Sequence, residues 1–205
     1  MTIDFLEIAD WRRQVAEIYA DIRRWDENTE QSWLYWRRGR DKLFAEHSQS
    51  PLETGDGRLT DGVPFFAYDP AMRFVVQLVA DDSASITLDA GQDGAVVARS
   101  LGRTSGLEEK LGGELTAYWI TGYGGGVFLP FQDATSGRKT YGGGRYLLDG
   151  IKGADLGQVS DGQLILDFNF AYHPSCCYSS RWACPLSPPE NRLPVAVCAG
   201  ERLPD

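Results

Sequence analysis

No apolar run in this sequence reaches the roughly eighteen residues that a membrane-spanning helix needs. The opening stretch, Met1 to Asp10, has neither a basic start nor an apolar segment closed by small residues, so no secretory signal is read there and the cytoplasm is the expected address. Positive charge is short as well: 20 Lys and Arg stand against 29 Asp and Glu, for a formal charge of -9. Such a chain repels phosphate backbones and anionic lipid at long range, which argues against nucleic acid and membrane as partners. Histidine and cysteine number two and four, and no Cys-x2-Cys pair lets one tight turn present two zinc ligands. The phosphate loop is missing too, because Gly142-Gly143-Gly144 is followed by Arg145 and Tyr146 rather than by Lys and Ser or Thr. In a reducing compartment Cys176, Cys177, Cys184 and Cys198 are read first as free thiols or metal ligands, not as a disulfide framework.

What the chain does have is glycine, 23 residues, and aromatic side chains, 12% of its 205 residues. That length suits one substantial core. Trp11, Val15, Ile18, Ile22 and Trp25 recur at helical spacing and predict an amphipathic helix over residues 5–26. A second helix is expected from Glu30 to about Phe44, its basic run from Arg37 to Lys42 lying mainly on a wetted face. Helical structure then ends at Pro51 and the Thr54-Gly55-Asp56-Gly57 stretch. From Val63 the period changes to short β-rich runs separated by turn residues: 63–68, 73–80, 85–89, 95–99, 114–120, 127–131, 163–170 and 193–198. The expected fold is mainly β (α+β), an antiparallel meander closing into a barrel or sandwich with two N-terminal helices packed on it. In this division residues 1–50 form the helical segment, and 51–205 the β-domain with its Cys/Pro-rich loop.

Residues that carry chemistry gather in the last third. Alternation over Gln163–Phe170 places Asp167 and Asn169 on one face, beside a loop that holds three of the four cysteines and His173. Cys176, three residues after His173, is a candidate nucleophile, with Asp167 orienting and His173, Arg181 or Arg192 favouring the thiolate. The bland alternative makes Cys176 and Cys184 small buried hydrophobes that pin the loop. His173, Cys176, Cys177 and Cys184 together also hold enough nitrogen and sulfur for zinc, at spacings poorly suited to it. Otherwise no cofactor is expected. A third candidate is an anion pocket: glycines 142–144 permit close approach of a ligand, and Arg145 offers a planar fork of donors. Tyr141, Asn169, Tyr172, Glu190, Asn191 and Arg192 complete its expected lining. The alternative use of Arg145 is an internal ion pair with Asp167 or Glu190.

Thr140-Tyr-Gly-Gly-Gly-Arg-Tyr-Leu147, Leu166-Asp-Phe-Asn-Phe-Ala-Tyr172 and Cys184-Pro-Leu-Ser-Pro-Pro-Glu-Asn-Arg-Leu193 carry a resemblance to the bacterial and archaeal family catalogued as domain of unknown function 1684. The likeness extends upstream through Trp36–Phe44, Gln49–Leu52, Phe66–Pro70 and Leu129–Asp133. It implies no activity. Where such proteins typically read Asn-Pro-Pro-Cys-Ala-Tyr, this chain has His173-Pro-Ser-Cys-Cys-Tyr178, so Cys176 and Cys184 fit the family pattern while His173 and Cys177 are local variations. The expected function is to bind a small polar or anionic molecule between the Gly142–Arg145 bend and residues 167–192, with its transformation as an extension of that reading. Two alternatives stand beside it: a cysteine-dependent hydrolase or transferase using Cys176, and a structural or partner-binding protein with a thiol- or zinc-pinned loop.

Overall fold

A computed structural model describes residues 4–25, 30–81, 85–91, 94–159 and 162–204. Helix α1 spans Phe5–Arg23 and α2 spans Glu30–Glu46. The Asp4 carboxylate starts α1 by accepting the N–H groups of Leu6 at 2.9 Å and Glu7 at 3.3 Å, two donors that have no partner within the helix. Trp11, Tyr19 and Ile22 of α1 are buried with Trp33, Trp36 and Phe44 of α2, as the apolar stripes require. The helices approach closely at Gly39, where an added Cβ would lie 2.7 Å from the Ile18 side chain. Trp25 is 39% exposed, and the expected end of the first helix at Asp26 lies outside the described residues, as does the turn at Gln92 and Asp93.

The rest is an antiparallel sheet of seven strands curled into a nearly closed barrel, with α1 and α2 packed against it. The strands are β1 (Arg73–Val79), β2 (Ile86–Asp89), β3 (Ala95–Ser105), β4 (Thr116–Ile120), β5 (Val127–Phe131), β6 (Arg145–Asp149) and β7 (Leu164–Asp167). Their order is β6-β5-β4-β3-β1-β7, with β2 added to the first half of β3. β3 pairs β2 in its first half and β1 in its second, and is bulged against β4 between Ser100 and Gly102, where a Cβ on Gly102 would meet the Val79 carbonyl at 2.6 Å. Paired backbone bonds between Tyr146 of β6 and Tyr172, just beyond β7, draw the two ends of the sheet together.

Alternation gives the sheet two buried faces. Leu129 and Phe131 enter a cluster with Val76, Leu166 and Phe168. Phe128 turns the other way, to Tyr146, Tyr172 and the tryptophans of α2. Trp36 stacks on Phe170 at 5.1 Å, and the Trp33 indole N–H donates to the Asn169 carbonyl at 2.9 Å, so α2 is fixed to the sheet by packing and by a directed bond.

Three expected strands differ. Residues 63–68 make one isolated bridge, Phe65 to Glu201, since Pro64 has no N–H to contribute to a ladder. The run 163–170 is strand to Asp167 and then a 3-10 turn over Phe168–Phe170, started by the Asp167 carboxylate accepting the Asn169 N–H. Residues 193–198 form no strand: the carbonyl of Val195 accepts from Ala134, and that of Val197 from a buried guanidinium.

Candidate functional site

The glycine bend does fold against the proline-studded segment, and the space between them is filled. Ser187 donates to the Gly143 carbonyl at 3.2 Å, and the Tyr141 ring and Leu186 lie where a Gly143 side chain would project. Gly144, at φ +95°, passes so close to β5 that a Cβ would meet the Phe131 carbonyl at 2.6 Å. Arg145 is turned into the core, 1% exposed. Its Nη2 donates to Asp133 Oδ2 at 2.6 Å and to the Val197 carbonyl at 3.0 Å, and its Nη1 to the carbonyls of Ala199 and Glu201. The internal ion pair weighed from the sequence is therefore made, with Asp133 in place of Asp167 or Glu190. A fork so occupied has no face for a ligand.

The other expected lining residues are dispersed. Asn169 is fully buried, its amide bonded to both the N–H and the carbonyl of Asp69 and to Asp167 Oδ1. Asn191, also fully buried, bridges the N–H and carbonyl of Thr116 to the Pro130 carbonyl. Glu190 accepts the Tyr118 hydroxyl at 2.9 Å, and Arg192 is exposed. Burial pushes the Asp167 carboxyl up to about 6, against the lowering by its bonds to Asn169.

His173 is a buried structural joint. Its Nε2 accepts the Tyr141 N–H at 3.1 Å, and Nδ1 faces Glu201 Oε1 at 3.7 Å. Burial, followed by the charges of Arg145, Arg40 and Arg58, depresses its pKa well below the ordinary value, so the ring is neutral. Glu201 in turn pairs with Arg40 at 2.8 Å, and the Arg40 guanidinium lies 4.8 Å over the Tyr172 ring. With His173 Nε2 taken by the Tyr141 N–H, Nδ1 turned to Glu201 and Cys177 facing Arg58 and Glu201, the zinc alternative has no geometry: among the described residues no group of three His, Cys, Asp or Glu is placed to hold a metal.

The hollow lies on the other side of the cysteine loop, between it and α1. This cleft measures about 650 Å³, within the range of small-molecule sites. Trp11 and Arg12 of α1 form one wall, Phe128, Tyr146 and Lys152 the floor, and Arg181–Pro185 the far wall. Past Trp11, Lys152 and Ser175 lies a recess of about 30 Å³ bounded by Tyr172 and His173, room for about one water molecule. Lys152 pairs with Asp149 at 2.5 Å, and the Tyr172 hydroxyl donates to the same carboxylate at 3.3 Å. Arg181 and Trp182 of the far wall keep Nε and Nε1 shielded from solvent, without a hydrogen-bond partner among the described residues, and Arg181 Nη2 donates to the Ser50 carbonyl.

Cys184 lines this cleft, and Cys176 lies against it: the Cys176 N–H donates to Cys184 Sγ at 3.3 Å. The Cys176 thiol also bonds to the Cys184 sulfur, which lowers Cys184 to about 7 against the opposing effect of burial, with Lys152 contributing. The same bond, followed by burial, raises Cys176. Of the expected nucleophile and its neighbour, Cys184 is the sulfur toward which the Cys176 N–H points, and that favours a thiolate there. Sequence reading passed over Cys184 because the spacing of His173 and Cys176 drew the nucleophile to Cys176, and Lys152 is thirty-two positions away from Cys184. Lys152, Trp182 and the α1 wall were missed as lining because they meet only in the fold.

The sequence model of the family described as "Protein of unknown function (DUF1684)" matches residues 60–202. Among solved structures, the solution NMR structure of an uncharacterized protein from Haloarcula marismortui is 31% identical, with a TM-score of 0.55 over 85% of this chain and 94% of that one. No curated protein matches. Among the described residues no helix is long and apolar enough to cross a membrane.

Proposed function

The chain belongs to the protein family of unknown function DUF1684, and we propose that it binds a small molecule with an anionic group on an apolar body in the cleft between α1 and the 175–185 loop. The observation that carries this reading is a cleft of about 650 Å³ whose lining joins three cationic side chains, Arg12, Lys152 and Arg181, to apolar ones. A carboxylate that meets one of these cations gains a charge-assisted hydrogen bond. Phe5, Ile8, Trp11 and Trp182 supply the apolar surface. Expected ligands are medium-chain or aryl carboxylates of the cytoplasm; neither nucleic acid nor a membrane surface is part of the reading.

The test is thermal shift with decanoate and phenylacetate, together with fluorescence of anilinonaphthalene sulfonate. Lys152→Met keeps the length of the side chain and removes the charge, so it should weaken binding about tenfold, the equivalent of one charge-assisted bond of ~1.4 kcal/mol. The matching alcohol, decanol, should bind less well than decanoate. If neither carboxylate raises the Tm, or Lys152→Met and Arg181→Met bind as the parent does, the reading is rejected.

A further inference from the structure

We propose that Cys184 and Cys176 form a dithiol that hydroperoxides oxidise to a disulfide, with Cys184 as the attacking sulfur and Cys176 as the resolving one. The inference stands on the sulfur pair and does not depend on what fills the cleft. Both thiols are free, and both are partly buried on one loop. The Cys184 sulfur is seated over the backbone of the 3-10 turn Ser175–Cys177, where it accepts the Cys176 N–H at 3.3 Å. Eight positions of chain separate the two cysteines, and this part of the loop carries no regular secondary structure beyond that turn, so the backbone has little ladder to break in reaching disulfide geometry.

The two sulfurs are differentiated by their surroundings. Cys184 lines the open cleft, where a peroxide can enter. The groups around the pair are Cys177 on the loop, Tyr141 on the glycine bend, Tyr146, Lys152 and Asp149 on the cleft floor, and Arg181 and Arg12 on its walls. The Cys176 thiol lies 3.9 Å from the Tyr141 hydroxyl. Lys152 and the donated hydrogen bonds favour the Cys184 thiolate near pH 7, whereas burial pushes Cys177 up to about 12. Cys177, adjacent in sequence, faces Arg58 and Glu201 instead and serves as an internal control.

The chemistry balances without a cofactor. The Cys184 thiolate attacks one oxygen of ROOH; the O–O bond breaks, an S–O bond forms, and the alkoxide leaves and takes up a proton as ROH. Cys184 is then a sulfenic acid, oxidised by two electrons. The Cys176 sulfur, giving up its proton, attacks the Cys184 sulfur; the S–O bond breaks, hydroxide leaves as water, and a disulfide remains. Two thiols and ROOH yield a disulfide, ROH and water. Cellular thiols reverse the step by exchange.

The experiment treats the reduced full-length protein with cumene hydroperoxide near neutral pH and maps the products by peptide mass spectrometry. The expected product joins Cys176 to Cys184. Cys176→Ser should arrest at a Cys184 sulfenic acid that dimedone traps, and Cys184→Ser should form neither species. In the untreated parent, iodoacetamide should label Cys184 at least about tenfold faster than Cys177 near pH 7. Circular dichroism of both variants checks their fold, and the parent alone decides the outcome if either variant fails to fold. Oxidation of Cys177 or Cys198 ahead of Cys184, labelling of Cys184 no faster than Cys177, or a parent that keeps both thiols under excess peroxide overturns the proposal.

Discussion

Arg145 heads the fully buried side chains by volume, and its surroundings explain why it is conspicuous in the sequence yet unusable by a ligand. Asp133 neutralises it, and the carbonyls of Val197, Ala199 and Glu201 take its remaining donors, so the C-terminal segment is fastened through a side chain rather than a strand ladder. Removing one partner of a buried pair leaves the other charged and unpaired. Arg145→Met should therefore lower stability by about 3–5 kcal/mol in urea titrations, and Arg145→Lys should recover little of it, because an ammonium cannot reproduce the fork. Asp167 gives the opposite sign. Its folded pKa of about 6 lies above the ordinary carboxylate value, with Oδ2 buried and without a hydrogen-bond partner among the described residues. The folded state then binds the proton more tightly, and stability rises as pH falls from about 6 towards 4. Asp167→Asn mimics the protonated acid: it should raise stability at pH 7–8 by roughly 1–3 kcal/mol and change little at pH 4, as read from urea midpoints at the two pH values.

At the scale of elements, the turn from β3 into β4 depends on one carboxylate. The one-turn helix Glu108–Leu111 starts where Glu114 Oε1 accepts the N–H groups of Gly106, Leu107 and Glu108, while Oε2 accepts the Thr104 hydroxyl at 2.6 Å. Burial raises the Glu114 pKa, and these bonds outweigh it, so the net shift is downward. Glu114→Gln keeps the shape and loses the charge; a cost of about 1–3 kcal/mol is expected, with faster amide exchange at Gly106 to Glu108. Elements of this kind, held by one side chain, leave no periodic trace in the sequence, whereas α1 and α2 were legible because their aromatic residues repeat at helical spacing. β6 was hidden for the reverse reason: all five of its residues are buried, including Arg145 and Asp149, so it shows no alternation. The run at 163–170 alternated convincingly and still turned at Phe168, because the Asp167 carboxylate captures the Asn169 N–H. As for the site, its cysteines were visible and its location was not. The wall opposite them comes from α1, whose exposed and half-buried residues read as ordinary packing.

Across the whole molecule, His173 joins parts that are otherwise far apart. It receives the Tyr141 N–H of the glycine bend, its own N–H donates to Glu201 of the C-terminal segment, and Glu201 binds Arg40 of α2. Arg145, Arg40 and Arg58 all oppose a second positive charge there. The unfolded chain has no such penalty, so below about pH 6.5 it takes up the proton more readily than the folded protein does, and stability falls with pH by up to about 1.4 kcal/mol per unit. The raised carboxyls of Asp167 and Glu201 act against this, since each favours the folded state as it protonates. The parent should consequently show a shallow acid limb between pH 6 and 4, made of opposing slopes. His173→Gln keeps an acceptor for the Tyr141 N–H and cannot titrate. Its urea midpoint, measured against the parent from pH 8 to 4, should be equal or lower above pH 7 and gain steadily on the parent below about pH 6.5. A constant difference over that range would mean that the His173 proton plays no part in holding the helices, the glycine bend and the C-terminal segment together.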